Sequence, residues 1–368
     1  MRIAMIGTRG VPARYGGFET AVEEVGWRLA KRGHEIVVYC RGGDPTQTTH
    51  RGMQLVHLPA VRKQQLETLN HTVTSVLHAR RDKPYDVTLL FNAANALALP
   101  LLRRCSQGVA LHVDGLEWQR GKWSRLGKAW YLLMERYGAR RADELIADAR
   151  GIQEYYRERY DVLSHFIAYG APIVLADVPK HLGALKVEPG RYHLVVARLE
   201  PENHVDLALE AYLRSDRDWP LLVVGAVPYE TQHSRRLVEL AARSKDIRML
   251  GAVWNSDLLD ELWCHSGSYI HGHSVGGTNP ALLRAMGAGA GIAAYDVIFN
   301  HEVLGETGRF FADVAELDQL LTSAEAEPKE WAVRGGAARI RATALYDWDQ
   351  VADAYEDLCH LLLKKRRR

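Results

Sequence analysis

The 368-residue sequence is poor in cysteine, in net charge and in long apolar runs, and each shortage excludes a class of protein. Its four cysteines stand far apart and form no C-x-x-C pair, which argues against a disulfide framework or a zinc ribbon and indicates buried thiols in a reducing cytoplasm. A total of 47 basic and 45 acidic side chains leaves a formal charge of +2, so bulk charge does not favour a nucleic-acid-binding protein. No apolar run approaches the roughly 20 residues that span a bilayer. Met1 leads directly into an apolar strand-like run, so no signal peptide is expected.

Motifs of several enzyme classes are also absent from the sequence. The glycines of the N-terminal loop fit neither the dinucleotide-binding G-x-G-x-x-G pattern nor a P-loop. There is no G-x-S-x-G nucleophile elbow, and no motif selects the facing pair of carboxylates that a glycosidase needs. His271 and His273 have the spacing of metal ligands on a strand, but no third ligand lies close in sequence. Asp216 and Asp218 form a D-x-D pattern in a polar stretch, which favours a surface loop over a metal site.

Apolar strand-like runs alternate with helical segments in two series, and this alternation predicts two α/β domains with parallel sheets. The first series opens with a strand over 2–7, a glycine-rich loop and a helix over about 18–32; the second opens with a strand over 192–199. We predict an N-terminal Rossmann-like domain over 1–171 and a second one over 172–345. Residues 346–368 are predicted to form a helix that returns to the first domain and a basic tail. Ligands of doubly wound domains bind beyond the carboxyl ends of the strands.

A helix start with the character of an anion site lies in the stretch HSVGGTNPALLRAMGA, residues 273–288. Gly276 and Gly277 lead into Thr278 and Asn279, both good N-caps, and Pro280 follows at the first helical position. Free N–H groups and the positive end of the helix dipole suit a phosphate there. An ordinary capped helix would carry the same signature, so both interpretations stay open.

A second glycine-bracketed helix start lies near the N-terminus, where Gly16 and Gly17 precede the first predicted helix. Arg9 and Arg14 add positive charge to this loop. Because both helix starts follow predicted parallel strands, each is expected at the ligand-binding edge of its own domain.

Residues 120–141 interleave basic side chains with Trp123, Trp130 and Tyr131. This mixture suits the surface of an anionic membrane. A solvated helix whose aromatic side chains face the core is the alternative. The basic tail, 364–368, fits either a membrane contact or a disordered end.

Five motifs, in order, resemble those of a bacterial family of retaining GT-B glycosyltransferases that includes rhamnosyltransferases of cell-surface polysaccharide synthesis. They are GTRGVPARYGGFET, DGLEWQRGKW, VARLEPEN, GHSVGGTNPALLRAMGAGA and DVIFNHEV. The resemblance covers nearly the whole chain. It implies two Rossmann-like domains that face a central cleft, a nucleotide-sugar donor held mainly by the C-terminal domain and an acceptor held mainly by the N-terminal one. It also implies transfer with retention of configuration and no need for a metal or another cofactor.

The resemblance assigns roles to residues that match its motifs. Arg198 corresponds to the arginine that clamps the donor diphosphate, where a guanidinium stabilises the charge of the leaving group. Gly16 and Gly17 correspond to the glycine pair near the donor phosphate and the acceptor. His112 and Asp114 correspond to the loop that contacts the transferred sugar, although a core histidine at a strand end remains the alternative for His112.

The sequence departs from the family pattern on the donor side. Asn203 stands where related enzymes often have a lysine, and Gly276 and Arg284 stand where they carry glutamates that face the sugar and the ribose. Glu302 matches a retained glutamate that receives a ribose hydroxyl. Because neither Gly276 nor Arg284 offers a carboxylate, a donor with fewer hydroxyls is expected, and dTDP-rhamnose is favoured. GDP-mannose, a UDP-sugar and a catalytically inactive binding protein are the alternatives.

The acceptor side is expected to comprise Arg14, Tyr15, Glu117 and Trp118. The expected acceptor is a glycan or a lipid-linked glycan, which would place the protein in the cytoplasm at the inner face of the plasma membrane. For Trp118, ordinary packing is the alternative to stacking on an acceptor.

Overall fold

The computed structural model describes residues 1–13, 16–60, 67–113, 115–121, 123–176, 178–226 and 231–366. The chain divides into two compact units. Unit 1 comprises Met1–Tyr169 and Trp348–Arg368, and unit 2 comprises Gly170–Asp347. Within the described ranges, no helix combines the length and the apolar character that crossing a bilayer requires.

Unit 1 is built on an eight-stranded sheet in the order β3-β4-β2-β1-β5-β6-β7-β8. All neighbouring strands are parallel except β3 and β4. The strands are β1 (Arg2–Ile6), β2 (Glu35–Cys40), β3 (Thr49–His50), β4 (Met53–His57), β5 (Tyr85–Phe91), β6 (Ser106–Val113), β7 (Glu144–Ala147) and β8 (His165–Phe166). Their nearly continuous apolar runs are typical of parallel strands that are covered on both faces.

Helices cover both faces of the unit 1 sheet. They are α1 (Gly17–Lys31), α2 (Glu67–Ala79), α3 (Leu99–Leu102), α4 (Arg125–Arg141), α5 (Arg150–Tyr160) and α13 (Trp348–Arg366), with a 3₁₀ helix at Ala93–Ala98. Helix α1 packs against α13, whereas the 3₁₀ helix packs against both α2 and α4. Because crossovers between parallel strands are right-handed, α2, the 3₁₀ helix, α4 and α5 lie on the face opposite α1.

Unit 2 contains a parallel six-stranded sheet in the order β11-β10-β9-β12-β13-β14. The strands are β9 (His193–Val196), β10 (Leu221–Val224), β11 (Ile247–Gly251), β12 (Ser268–His271), β13 (Ile292–Tyr295) and β14 (Arg309–Phe311). The helices are α6 (Val205–Tyr212), α7 (Gln232–Ala241), α8 (Ser256–Cys264), α9 (Pro280–Ala288), α10 (Ile298–Leu304), α11 (Val314–Ala326) and α12 (Pro328–Leu345). The predicted α/β class with two parallel sheets is confirmed.

In each unit, the direction in which successive strands are added to the sheet reverses once. In unit 2, β9 lies between β10 and β12, and in unit 1, β1 lies between β2 and β5. Loops that leave the carboxyl ends of two such strands diverge to opposite faces and open a crevice at the edge of the sheet. A ligand is therefore expected at the loops after β9 and β12 in unit 2 and after β1 and β5 in unit 1.

Candidate functional site

Arg198 lies in the loop that leaves the carboxyl end of β9 in unit 2. Its side chain is exposed, and within the described ranges its guanidinium has neither a hydrogen-bond acceptor nor an ion-pair partner. An arginine without a carboxylate partner presents its full charge and its planar fork of donors to an incoming ligand. This charge lies at the edge of the sheet where the fold favours a ligand.

The helix start predicted from the sequence follows β12 at the same edge. Asn279 caps α9, because its Oδ1 accepts a hydrogen bond of 2.9 Å from the N–H of Ala281. Gly276 has a φ of 128°, which a residue with a side chain rarely adopts, and Thr278 is buried beside the cap. In the described part of the chain, the N–H groups of Gly276 and Gly277 donate to no acceptor. The helix is thus capped in the ordinary way and also leaves two backbone donors for an anion.

Asn203 joins the loops after β9 and β12. Its Nδ2 donates to the carbonyl of Arg198 at 2.7 Å, and its Oδ1 lies 2.7 Å from Nδ1 of His273. The two backbones also approach closely at Gly272, where a Cβ atom would collide with the Asn203 carbonyl oxygen. The predicted donor residue Asn203 is buried, and its amide fixes the backbone that carries Arg198.

Two further residues of this framework were not predicted from the sequence. His204 adopts a left-handed conformation, stacks on the ring of Tyr295 at 4.1 Å and places its Nδ1 2.7 Å from the carbonyl oxygen of Gly272. Asn300 is buried and donates from Nδ2 to the carbonyls of His273 and Tyr295, at 3.0 and 2.8 Å. A polar residue inside the apolar start of α10 was the available signal for Asn300. His204 gave no signal, because its partners are distant in sequence.

Arg284 and Glu302 have partners elsewhere in unit 2. Arg284 forms an ion pair with Asp260 of α8, with Nε 3.1 Å from Oδ1, and its guanidinium lies 5.2 Å from the ring centroid of Trp263. Its charge is therefore offset before any ligand binds. Glu302 lies near the end of α10 with its side chain half-buried, and its backbone carbonyl accepts a hydrogen bond from Arg341.

Two glutamates of α1 accept hydrogen bonds from the loop that precedes this helix. Gly16 precedes α1 with a φ of 113°, and a Cβ atom there would collide with the carboxylate of Glu19. That carboxylate accepts a hydrogen bond of 3.0 Å from the N–H of Arg9, and Glu23 accepts one of 2.6 Å from the N–H of Ala13. Glu23 also forms ion pairs with His50 at 2.9 Å and Arg51 at 3.4 Å, so its charge is offset within unit 1. The carboxylate of Glu19 can accept hydrogen bonds from sugar hydroxyls, and a contact of Gly16 and Gly17 with the donor phosphate stays a prediction.

His112 lies near the end of β6 and is buried among aromatic rings. Its Nδ1 is 3.1 Å from the hydroxyl of Tyr355, and its ring centroid is 5.1 Å from that of Phe18 and 5.5 Å from that of Phe91. Burial lowers the pKa of His112 to about 3, so the imidazole is neutral at physiological pH. Its Nε2 meets no hydrogen-bond partner among the described residues. This environment fits the core-histidine alternative, and a sugar contact by His112 stays a prediction.

The remaining acceptor-side residues fall into two groups. Glu117 is buried, pairs with Arg120 and accepts a hydrogen bond of 3.2 Å from Nε1 of Trp123, while Trp118 is half-buried. These contacts give Glu117 a role in holding its own loop. The other predicted residues, Arg14, Tyr15 and Asp114, lie outside the described residues.

Comparison with known families and structures identifies the class of enzyme. Residues 190–324, which contain Arg198 and the start of α9, match the family described as glycosyl transferases group 1. The protein is a glycosyltransferase. Residues 1–172 match a domain of unknown function, DUF1972. A comparison with curated proteins gives no match.

Solved structures establish the fold of this glycosyltransferase as GT-B. Sucrose-phosphate synthase of Thermosynechococcus elongatus superposes with a TM-score of 0.83 at 19% identity, covering 99% of each chain. HepE of Anabaena, in complex with UDP and glucose, gives 0.78 at 16% identity, covering 97% of this chain and 99% of its own. TarM gives 0.74 at 8% identity, covering 97% and 98%. At such identities the likeness concerns the fold.

Proposed function

We propose that the protein transfers a sugar from a nucleotide sugar with retention of configuration, and that the carboxyl edge of the unit 2 sheet binds the donor diphosphate. The observation that carries this proposal is the exposed guanidinium of Arg198, which has no partner in the described ranges, on a loop tied by Asn203 to the loop that ends at α9. An arginine fork and free backbone N–H groups are the donors that phosphate oxygens prefer.

The chemistry follows from where charge develops during transfer. As the bond between the sugar and the diphosphate breaks, negative charge grows on the leaving phosphate oxygen, and Arg198 and the positive end of α9 stabilise that charge. The leaving oxygen takes the proton of the acceptor hydroxyl on the same face of the sugar, so retention needs no nucleophile from the protein. Arginine and helix dipole supply the charge that a metal would otherwise supply, and we expect activity to persist in a chelator.

For the donor we favour dTDP-rhamnose. Gly276 has no side chain, and Arg284 is held by Asp260, so neither position offers a carboxylate to a sugar or ribose hydroxyl. A deoxynucleotide with a 6-deoxy sugar has fewer hydroxyls to satisfy. A UDP-sugar is the second candidate, because HepE, which shares the fold, forms a complex with UDP-glucose.

For the acceptor we propose a glycan or lipid-linked glycan that unit 1 binds at the carboxyl edge of its sheet. The carboxylate of Glu19, in the first turn of α1, supports a polyhydroxylated ligand there. Transfer to such an acceptor would serve the synthesis of a cell-surface polysaccharide.

Thermal unfolding with dTDP, UDP and GDP tests the donor site, because a ligand that binds only the folded state raises the melting temperature. Stabilisation by dTDP alone supports the favoured donor, and stabilisation by UDP alone supports the second. Arg198→Ala should remove the response, whereas Arg243→Ala, which changes another exposed arginine of unit 2, should leave it intact. A full response in the Arg198 variant would refute the clamp, and no response to any nucleotide would favour an inactive binding protein.

A further inference from the structure

Unit 1 exposes large apolar side chains on one of its faces. On α4, Leu126 is 84% exposed and Leu133 is 57% exposed. Leu97 of the 3₁₀ helix is 57% exposed, and Val73 and Leu77 of α2 are 52% and 45% exposed. We call these five residues the apolar face of unit 1. Large apolar side chains grouped in this way mark a surface that another body covers.

The five residues share one side of the sheet. The 3₁₀ helix that carries Leu97 packs against α2 as well as α4, and the right-handed crossovers place all three elements on the same face. Leu126 and Leu133 are two helical turns apart, so they lie along one line on α4, about 10 Å from end to end. Val73 and Leu77 are one turn apart on α2 and lie along a line of their own.

Basic side chains lie beside the exposed leucines of α4. Arg125 precedes Leu126 in the chain, Arg136 and Arg140 lie one and two turns beyond Leu133, and all three are exposed. Across α4, which the structure describes in full, the single acidic residue is Glu135, and it is buried. The exposed surface of this helix therefore presents apolar and positive groups and no carboxylate.

The basic surplus persists at the far end of α4. There Arg136 and Arg140 line an open cavity together with Arg159, Glu158 and Asp161. Arginines outnumber carboxylates in this cavity by three to two. The net charge at this end of α4 is therefore positive, and it is reduced by Glu158 and Asp161.

We propose that the apolar face of unit 1 docks on a bilayer that contains anionic lipids. Leucine side chains enter the boundary between headgroups and acyl chains, while arginines beside them reach lipid phosphates, and together these contacts hold a helix in the plane of an interface. A protein partner would need carboxylates matched to arginines on an otherwise apolar surface, and a nucleic acid gains little from exposed leucines. An anionic membrane offers an apolar interior to the leucines and phosphates to the arginines, so it matches both kinds of side chain.

This surface shares its arginines with the one that the sequence indicated and adds Leu126 and Leu133. Trp123 and Trp130 are half-buried, and Tyr131 is buried. Trp123 donates a hydrogen bond from its indole N–H to Glu117. Trp123 and Tyr131 therefore help to fix α4 to unit 1. The half-buried Trp130 lies one helical turn from both Leu126 and Leu133, so it flanks the exposed leucine stripe.

Membrane docking brings unit 1 to a lipid-linked acceptor, and in this respect the inference rests on the proposed function. Vesicle binding needs neither donor nor acceptor, so the two proposals fail separately. A protein that responds to nucleotides but ignores vesicles would overturn the docking surface and leave the donor site standing. A protein that binds vesicles through this face but responds to no nucleotide would overturn the donor site and leave the docking surface standing.

The experiment is flotation of the full chain with vesicles of phosphatidylcholine alone or with phosphatidylglycerol added. We expect binding to the anionic vesicles, weaker binding to the neutral ones, and loss of the difference in about 1 M salt, where the screening length falls to about 3 Å. Leu126→Ser combined with Leu133→Ser should lower the partition coefficient by about tenfold on both kinds of vesicle. Arg136→Gln combined with Arg140→Gln should lower it on anionic vesicles alone.

The matched control combines Val333→Ser with Ile340→Ser on α12 of unit 2, where these side chains are 72% and 73% exposed. It removes the same kind of exposed apolar group from a helix outside the proposed surface, and it should float like the unchanged protein. Unchanged melting temperatures in all variants show that the fold is kept. Wild-type flotation of the leucine variant, or an equal loss in the control, would overturn the proposal, as would retention of the unmodified chain on DNA but not on vesicles.

Discussion

Glu135 offers a quantitative test of the packing beneath α4. It is 2% exposed, and its Oε2 accepts hydrogen bonds from the hydroxyls of Tyr155 at 3.0 Å and Tyr160 at 3.2 Å. Burial raises the pKa of its carboxyl group from 4.5 to about 7. In the folded protein this group therefore keeps its proton at pH values where the unfolded chain has lost it.

The sign of the pH dependence follows from that shift. Because the folded pKa lies above the unfolded one, the stability that the neutral carboxyl contributes is present below about pH 4.5 and is lost as the pH rises through about 7. The raised pKa of Glu135 then lowers the free energy of unfolding by about 3 kcal/mol at pH 8 and by about 1 kcal/mol at pH 5.5, at roughly 1.4 kcal/mol for each pKa unit. Glu135→Gln removes this cost, and its amide oxygen accepts the same two hydrogen bonds.

We therefore expect Glu135→Gln to raise the free energy of unfolding of unit 1 about 2 kcal/mol more at pH 8 than at pH 5.5. Thermal unfolding at the two pH values measures this as a difference of several degrees in the melting temperature. Glu356→Gln is the matched control in the same unit, because His34 and Arg32 lower the pKa of that carboxyl group and its loss should destabilise at pH 8. Equal effects of Glu135→Gln at both pH values, or a lower melting temperature at pH 8, would refute the assignment of a buried neutral acid.

Two further predictions concern buried groups. Burial lowers the pKa of His71 to about 4 and of His112 and His271 to about 3; since the folded pKa lies below the unfolded value of about 6.5, the stability is present above that value and each residue costs about 2 kcal/mol by pH 5. Urea titrations at pH 7.5 and pH 5 check this. His271→Phe should reduce the acid sensitivity of unit 2, and burial also lowers the pKa of His193, so part of the sensitivity should remain. If the His271 variant keeps the full wild-type acid response, its buried neutral imidazole does not contribute. Gly272→Ala drives a Cβ atom into the carbonyl of the loop after β9, so it should lower the melting temperature of unit 2 and weaken nucleotide binding, whereas Gly183→Ala, in open space, should do neither. Wild-type nucleotide affinity in the Gly272 variant would contradict the need for close approach of the two loops.

Local features of the chain proved readable without the structure. Most strands of both sheets are short apolar runs, and their alternation with helical segments is enough to predict parallel sheets. The cap at Asn279 followed from residues 276–280 alone, because capping involves groups within one turn of the helix. The exposed charge of Arg198 also lies where its motif, at the end of a predicted strand, placed it.

Contacts between segments distant in sequence could not be predicted in this way. Arg284 is paired by Asp260, from the preceding helix, and Asn203 is fixed by His273, 70 residues away. Likewise, the sequence of residues 120–141 indicated a membrane segment through its aromatic residues, but Leu126 and Leu133 are the large apolar side chains that α4 exposes.

The chain's own order of residues thus determined its α/β architecture, the capped start of α9 and the chemical character of each loop, since these depend on propensities and contacts within a few residues. Only the tertiary structure decided which charges are offset, which donors stay available and which side of α4 meets solvent. The physical reason is that burial and pairing arise when segments far apart along the backbone pack together. A local sequence pattern does not show which side chain of a neighbouring element a residue will contact.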